Sequence, residues 1–468
     1  MSDAQFRAGI ARVDITPPLT APHAGWGAQT HIQPDGVDQP LNVTALVIED
    51  GTTTVAWCEF DLVIISSEET DVIRERVGQA LDIPKEHVRI SVTHNHAGPP
   101  PSSWDWIKEG LEALQTWYRQ LPEYASGAAL AARHAMVDAR IGVGRGSSSV
   151  AINRREINPQ GRMVTGVNPG GVIDPDVLVL RIDTMDGEPL ATVAGYTMHP
   201  TTLGPSNRLL SADWPGHFKR TVELLTGSTC LFVQGATGNV GPGYEGFTDD
   251  VSVPERLGML VGFEAARVYH SIDIPARRYH HERTWESGAP LGRWEYEEID
   301  EPSPVVRMLV DYVHLPLNEH EPVAEAAAKV REAEATLNAL RDSGAPSSDV
   351  EAATFVTKRL NMRLTRSELY AGKTETPVEV SLLQIGPVVF AGTQGEPFVE
   401  IGLQIKEQSP FPFTWFGGYT SGWAGYIPMP DAYPLKGYEV ETSPFTPDAA
   451  ARMVEGTVEL LRQMGSER

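Results

Sequence analysis

Two histidines, His94 and His96, sit where the apolar run Val88–Val92 gives way to the loop Ala97-Gly98-Pro99-Pro100. Side chains at i and i+2 leave the same face of an extended segment. Two imidazoles aimed at one spot suit a metal ion, or a metal and a proton carrier. Other strand-like runs end in the same way. The run 191–197 is followed by His199, and the run 230–233 by Gln234-Gly235-Ala236-Thr237-Gly238-Asn239. The run 388–391 leads to Glu396, and the run 413–419 to Gly425-Tyr426. In open α/β sheets ligands collect at the carboxyl ends of strands. Two His, one Glu and one Tyr form a nitrogen/oxygen set suited to zinc, the Tyr being the rarer fourth ligand, although similar sets bind other divalent ions. Plainer uses compete: a strand-end His can pack, and Asp, Glu and Gly are common in turns for conformational reasons.

Several other chemistries lack their motifs. His-Glu-x-x-His and the phosphate-binding Gly-x-x-x-x-Gly-Lys-Ser/Thr loop are absent, as is the Gly-x-Ser-x-Gly nucleophile elbow. Two cysteines, Cys58 and Cys230, are too few for a thiolate zinc site and read as structural thiols of a reducing, cytoplasmic setting.

The elements that must position these residues read as α/β. Residues 45–48 and 54–60 form a hairpin, and a helix starts near Ser66 with Ser66 and Glu69 as a capping box. Residues 104–139 read as largely helical, 178–182 and 191–197 as two strands, and 215–225 and 254–270 as helices. Residues 277–322, rich in Arg, Glu and Pro, read as irregular. Apolar steps of three and four through Val323, Ala326, Val330, Ala333, Leu337 and Leu340 predict an amphipathic helix, with another over 348–364. Strand pattern returns at 378–383, 388–391 and 413–416 before a last helix over 447–464. The expectation is one domain over 1–468: a large mixed β-sheet core flanked by helices, with a helical excursion near 320–370.

Composition agrees with a globular chain: 468 residues, 41% apolar and 21% charged. A formal charge of −24, from 38 basic and 62 acidic side chains, disfavours nucleic acid and anionic membrane. No signal peptide, membrane anchor or spanning run is visible, so a small-molecule substrate is expected, with homo-oligomer formation left open.

Jointly, the motifs resemble the catalytic domain of neutral, non-lysosomal ceramidases and their bacterial relatives. The opening Ala8-Gly9-Ile10-Ala11-Arg12-Val13-Asp14-Ile15-Thr16-Pro17-Pro18 is similar to that family's start, and Thr93-His94-Asn95-His96-Ala97-Gly98-Pro99 to its Thr-His-Thr-His-Ser-Gly-Pro segment. Ile152-Asn153-Arg154, then His199-Pro200 with Asn207-Arg208-Leu209 and Ser211-Ala212-Asp213, follow in the family's order. Gly395-Glu396-Pro397-Phe398, Gly425-Tyr426-Ile427 and Tyr438-Glu439 complete it. The resemblance implies a zinc hydrolase with His94, His199, Glu396 and Tyr426 as ligands, and His96 and Arg154 beside the metal.

There are two departures. The family's Gly-Asp-Val-Ser-Pro-Asn aligns with Gly238-Asn239-Val240-Gly241-Pro242-Gly243, so its serine is Gly241 here. Thr237 is the nearest hydroxyl, with a turn role competing. No immunoglobulin-like C-terminal domain such as that of true ceramidases is expected either, and with it no membrane sphingolipid as the substrate. The expected reaction is hydrolysis of a carboxylic amide by metal-activated water, with esters or lactones as the close alternative and a non-catalytic binding module as the other class. Tyr426 could bind the metal or, like His96 and Arg154, act on the reacting groups. Asp213 could orient His199 or His96, or cap the helix before Trp214-Pro215; Asp61 could do the same, or close a turn. Trp104, Trp106 and Trp423 are candidates for an apolar pocket wall.

Overall fold

The computed structural model describes residues 6–23, 25–104, 107–299 and 304–466. Its largest sheet has eight strands in the order Thr229–Gln234, Pro189–Tyr196, Asp176–Thr184, Val137–Ser147, Phe6–Asp14, Asn42–Glu49, Thr54–Phe60 and Val88–Val92. A second sheet has four: Val306–Pro316, Glu375–Ile385, Val388–Thr393 and Phe413–Gly417.

The period of two along each strand divides side chains between two layers. On Asn42–Glu49, Val43, Ala45 and Val47 face the helices Ser67–Leu81 and Leu121–His134. The intervening Leu46 and Ile48 face the second sheet, where they join Trp57, Leu383, Phe390 and Trp415. Further along the large sheet, Val179, Tyr196 and Phe232 pack under the helices Asp213–Thr226 and Ser252–Ser271. The outer face of the small sheet is covered by Val399–Gln408 and Ala449–Ser466. The result is helix, sheet, sheet, helix. Strands buried on both faces have no polar face to alternate, which is why they read as continuous apolar runs.

The mixed α/β class, the flanking helices and the helical excursion are as expected. That excursion is a pair of helices, Val323–Asp342 and Ser347–Tyr370, inserted between two antiparallel strands of the small sheet. Residues 104–139 are largely helical, as expected, with helices over Leu111–Tyr118 and Leu121–His134 before a strand begins at Val137. One expectation needs correction. Residues 277–322 are not irregular: Arg277–Trp285 and Leu291–Glu298 form an antiparallel hairpin, and Val306–Pro316 is a strand. The hairpin is exposed along its whole length, so no buried face imposed an apolar alternation. No helix among the described residues is long and apolar enough to cross a membrane.

Candidate metal centre

Three parallel strand pairs deliver the candidate residues. Thr54–Phe60 lies parallel to Val88–Val92, Pro189–Tyr196 to Thr229–Gln234, and Val388–Thr393 to Phe413–Gly417. In a parallel pair both carboxyl ends open on the same side. The large sheet curls so that its two edges approach: Gln234 on one edge strand donates Nε2 to the carbonyl of Thr93, beyond the other, at 3.0 Å. His94 and His96 follow the first pair, His199 and Thr237 the second, Glu396 and Tyr419 the third. The short strands Glu396–Pro397 and Tyr426–Ile427 then pair in parallel and set Glu396 beside Tyr426.

Each of the three imidazoles places Nδ1 against a backbone carbonyl. His94 reaches Val63 at 2.7 Å, His96 reaches Gly25 at 2.8 Å and His199 reaches Thr237 at 3.3 Å. A carbonyl only accepts, so Nδ1 carries a proton in each ring, and in a neutral ring Nε2 then keeps its lone pair. The Nε2 atoms converge: His94 to His96 is 3.3 Å and His96 to His199 is 3.2 Å. Burial, with neighbouring His94, lowers His96 to about 3; burial, then Arg154, holds His199 well below the usual imidazole range. Both rings are therefore neutral at physiological pH. Glu396 Oε2 lies 3.4 Å from His94 Nε2. Burial pushes that carboxyl up, but His94, Arg154 and Tyr426 outweigh it and leave it ionised, at about 2. The facing lone pairs of His96 and His199, beside a buried carboxylate, repel one another, and a cation is the simplest resolution. This donor set fits a divalent metal.

Arg154 and Tyr426 close the other side. Arg154 donates Nη2 to the Tyr426 hydroxyl at 3.1 Å and to the Gly238 carbonyl at 2.8 Å, and Nε to Glu439 at 3.0 Å. Burial, then Glu396, pushes the Tyr426 phenol well above its usual range, with Arg154 opposing. Trp423 donates Nε1 to Glu396 Oε1 at 3.2 Å. Trp26 packs on His96 at 4.9 Å and meets Phe247 edge-on at 5.6 Å, forming an aromatic rim.

The structure thus brings His94, His96, His199, Glu396, Tyr426, Arg154 and Trp423 together. Other candidates are placed differently. Asp213 meets neither His96 nor His199. It accepts from the backbone of Leu203 and Trp214 and from Thr202, and so anchors the loop after His199; burial raises it to about 6. Asp61 faces Lys219 Nζ at 2.7 Å, which also binds Glu59, and accepts from the backbone of Asn42. A buried carboxylate needs donors, and these two find them in the backbone or a lysine.

Asn239 is tied to Glu400 and Val399, and its carbonyl receives the Arg154 backbone N–H. Gly241 pairs with Ile152, and an added Cβ would meet only the Arg154 side chain, at 3.7 Å. Thr237 bonds Tyr419 through its hydroxyl and His199 through its carbonyl. Trp104 lies in the loop after the histidines, and Trp106 falls outside the described residues.

Two participants escaped the sequence, Tyr419, stacked on His94 at 4.1 Å, and Trp26, while Glu439, which holds Arg154 and Arg155, was visible only as part of a motif with no role assigned. Tyr419 carried a signal, since it ends an apolar run as His94 does. Trp26 carried none, because its loop lies about seventy residues away in sequence from the ring it covers.

Residues 6–229 match the family described as neutral/alkaline non-lysosomal ceramidase, N-terminal. The fold resembles a neutral ceramidase from Pseudomonas aeruginosa with a TM-score of 0.69 at 16% identity, over 100% of this chain and 75% of that one. It also resembles a ceramidase solved in complex with C2, with a TM-score of 0.67 at 16% identity, over 99% and 76% of the two chains.

Proposed function

We propose, from the match of residues 6–229 to the neutral/alkaline non-lysosomal ceramidase family, that this protein is a zinc-dependent hydrolase of a carboxylic amide bond in a small N-acyl substrate. The observation that carries the reading is the convergence of the Nε2 atoms of His94, His96 and His199 beside the buried Glu396 carboxylate. His94, His199, Glu396 and Tyr426 would hold the ion. When bound, zinc supplies Lewis acidity toward a carbonyl and acidifies water at neutral pH.

The chain's own groups do the rest. Arg154, fixed by Glu439 and Gly238, directs Nη2 at the Tyr426 hydroxyl and stands ready to donate to a developing oxyanion. His96 keeps a free Nε2 at neutral pH and can accept a proton there and pass it to the leaving amine. Gly25 fixes its ring through Nδ1. The aromatic rim of Trp26 and Phe247 suits an acyl chain or ring on the substrate.

The test is metal content and turnover of a panel of N-acyl amides by the purified full chain. His94→Ala should release the metal and lower kcat/KM by about a thousandfold, since a catalytic metal contributes several kcal/mol. His96→Ala should keep the metal and lose kcat. An active, metal-replete His94→Ala protein would sink the assignment.

A further inference from the structure

Tyr419 is buried, 2% exposed, and has φ +60°, a backbone region that bulky residues rarely adopt. The conformation persists because the residue is pinned on both sides. Its N–H donates to the Gly395 carbonyl at 3.0 Å, and its carbonyl accepts from Val92 at 3.0 Å. Those partners adjoin Glu396 and the strand that leads to His94. The side chain then touches the same two groups: the ring stacks on His94 with planes 31° apart, and the hydroxyl lies 3.4 Å from Glu396 Oε2. The Thr237 hydroxyl lies 2.6 Å from the Tyr419 hydroxyl, and the Thr237 carbonyl takes the His199 Nδ1 proton. Strained backbone that its surroundings over-determine clusters at functional sites.

The direction of these bonds follows from their chemistry. A carboxylate oxygen that serves as a metal ligand accepts, so the Tyr419 O–H donates to Glu396 Oε2. The phenol oxygen is then left to accept, and the Thr237 O–H supplies that bond. We propose that Thr237, Tyr419 and Glu396 form a directed hydroxyl relay that holds the carboxylate and the His94 ring in donor geometry, making Tyr419 a positioning residue of the metal centre. The inference rests on reading this pocket as a metal centre.

The experiment titrates zinc, and cobalt(II) as a spectroscopic probe, into the metal-stripped full chain and into Tyr419→Phe, Thr237→Val and Thr237→Ser. Loss of an outer-shell hydrogen bond typically lowers metal affinity about 10- to 100-fold. Tyr419→Phe and Thr237→Val should each weaken binding roughly tenfold and shift the visible cobalt bands. Thr237→Ser, which keeps the hydroxyl, should match wild type. Wild-type affinity and spectrum in either hydroxyl deletion would overturn the relay and leave the metal centre standing. A wild-type chain that takes up no metal would overturn both.

Discussion

Glu59 is buried beside Asp61, and the two carboxylates share one ammonium, Lys219 Nζ, at 3.0 and 2.7 Å. Burial raises Glu59 from 4.5 to about 7, with Lys219 opposing and Asp61 adding to it. The folded chain therefore keeps a proton that the unfolded chain releases between about pH 4.5 and pH 7. Stability from this group is present below that window and declines as pH rises through it. Glu59→Gln, neutral at every pH, should gain on wild type by on the order of 2 kcal/mol between about pH 5 and pH 8. Urea unfolding of both proteins at the two pH values measures that gap, and an unchanged gap would refute the assignment of the proton. At this scale the sequence was legible for groups that end strands. His94, His96, His199 and Glu396 each follow an apolar run, and parallel pairing makes such ends converge. It was not legible for Asp61 and Asp213, because a carboxylate's partner depends on what folds over it.

Helix Ser67–Leu81 joins the two sheets through one side chain. Arg74 donates to both oxygens of Glu379 at 2.9 and 2.6 Å, to Ser421 at 2.6 Å and to the Val88 carbonyl at 2.9 Å. Glu379 lies on the small sheet, Val88 opens the strand leading to His94, and Ser421 is two residues beyond Tyr419. Both charged side chains are buried. Truncating one partner of a buried pair strands the other charge, at a cost of about 3–5 kcal/mol. Arg74→Ala should therefore lose about that much in denaturant unfolding, whereas Arg76→Ala, whose Glu123 pair is exposed, should lose under about 1 kcal/mol. Equal losses would mean that the Arg74 pair does not lock the sheets. The helix itself was legible: Ser66 and Glu69 make the reciprocal capping bonds that their spacing predicted. The lock was not, since 305 residues separate Arg74 from Glu379.

Across the molecule, buried elements were easier to read than exposed ones. Strands such as Asp176–Thr184 and Val388–Thr393 are buried between layers and carry apolar runs that announce them. The hairpin Arg277–Trp285 and Leu291–Glu298 has no such record, because all of its residues are exposed. Tyr279 pairs across it with Tyr296, and His281 with Trp294, while Arg277 covers the Tyr296 ring at 4.3 Å. These contacts are internal to the hairpin. Its base is already closed, with Ile299 N–H donating to the Ala276 carbonyl at 2.8 Å, so a short Gly/Ser turn can replace residues 277–298 without moving either end. A segment that buries no core surface contributes little to global unfolding. The shortened chain should unfold within about 1 kcal/mol of the full one and bind metal with the same affinity. A larger loss of stability, concentration-dependent in the full chain and absent from the shortened one, would show instead that the hairpin's exposed aromatics pack against another copy of the protein.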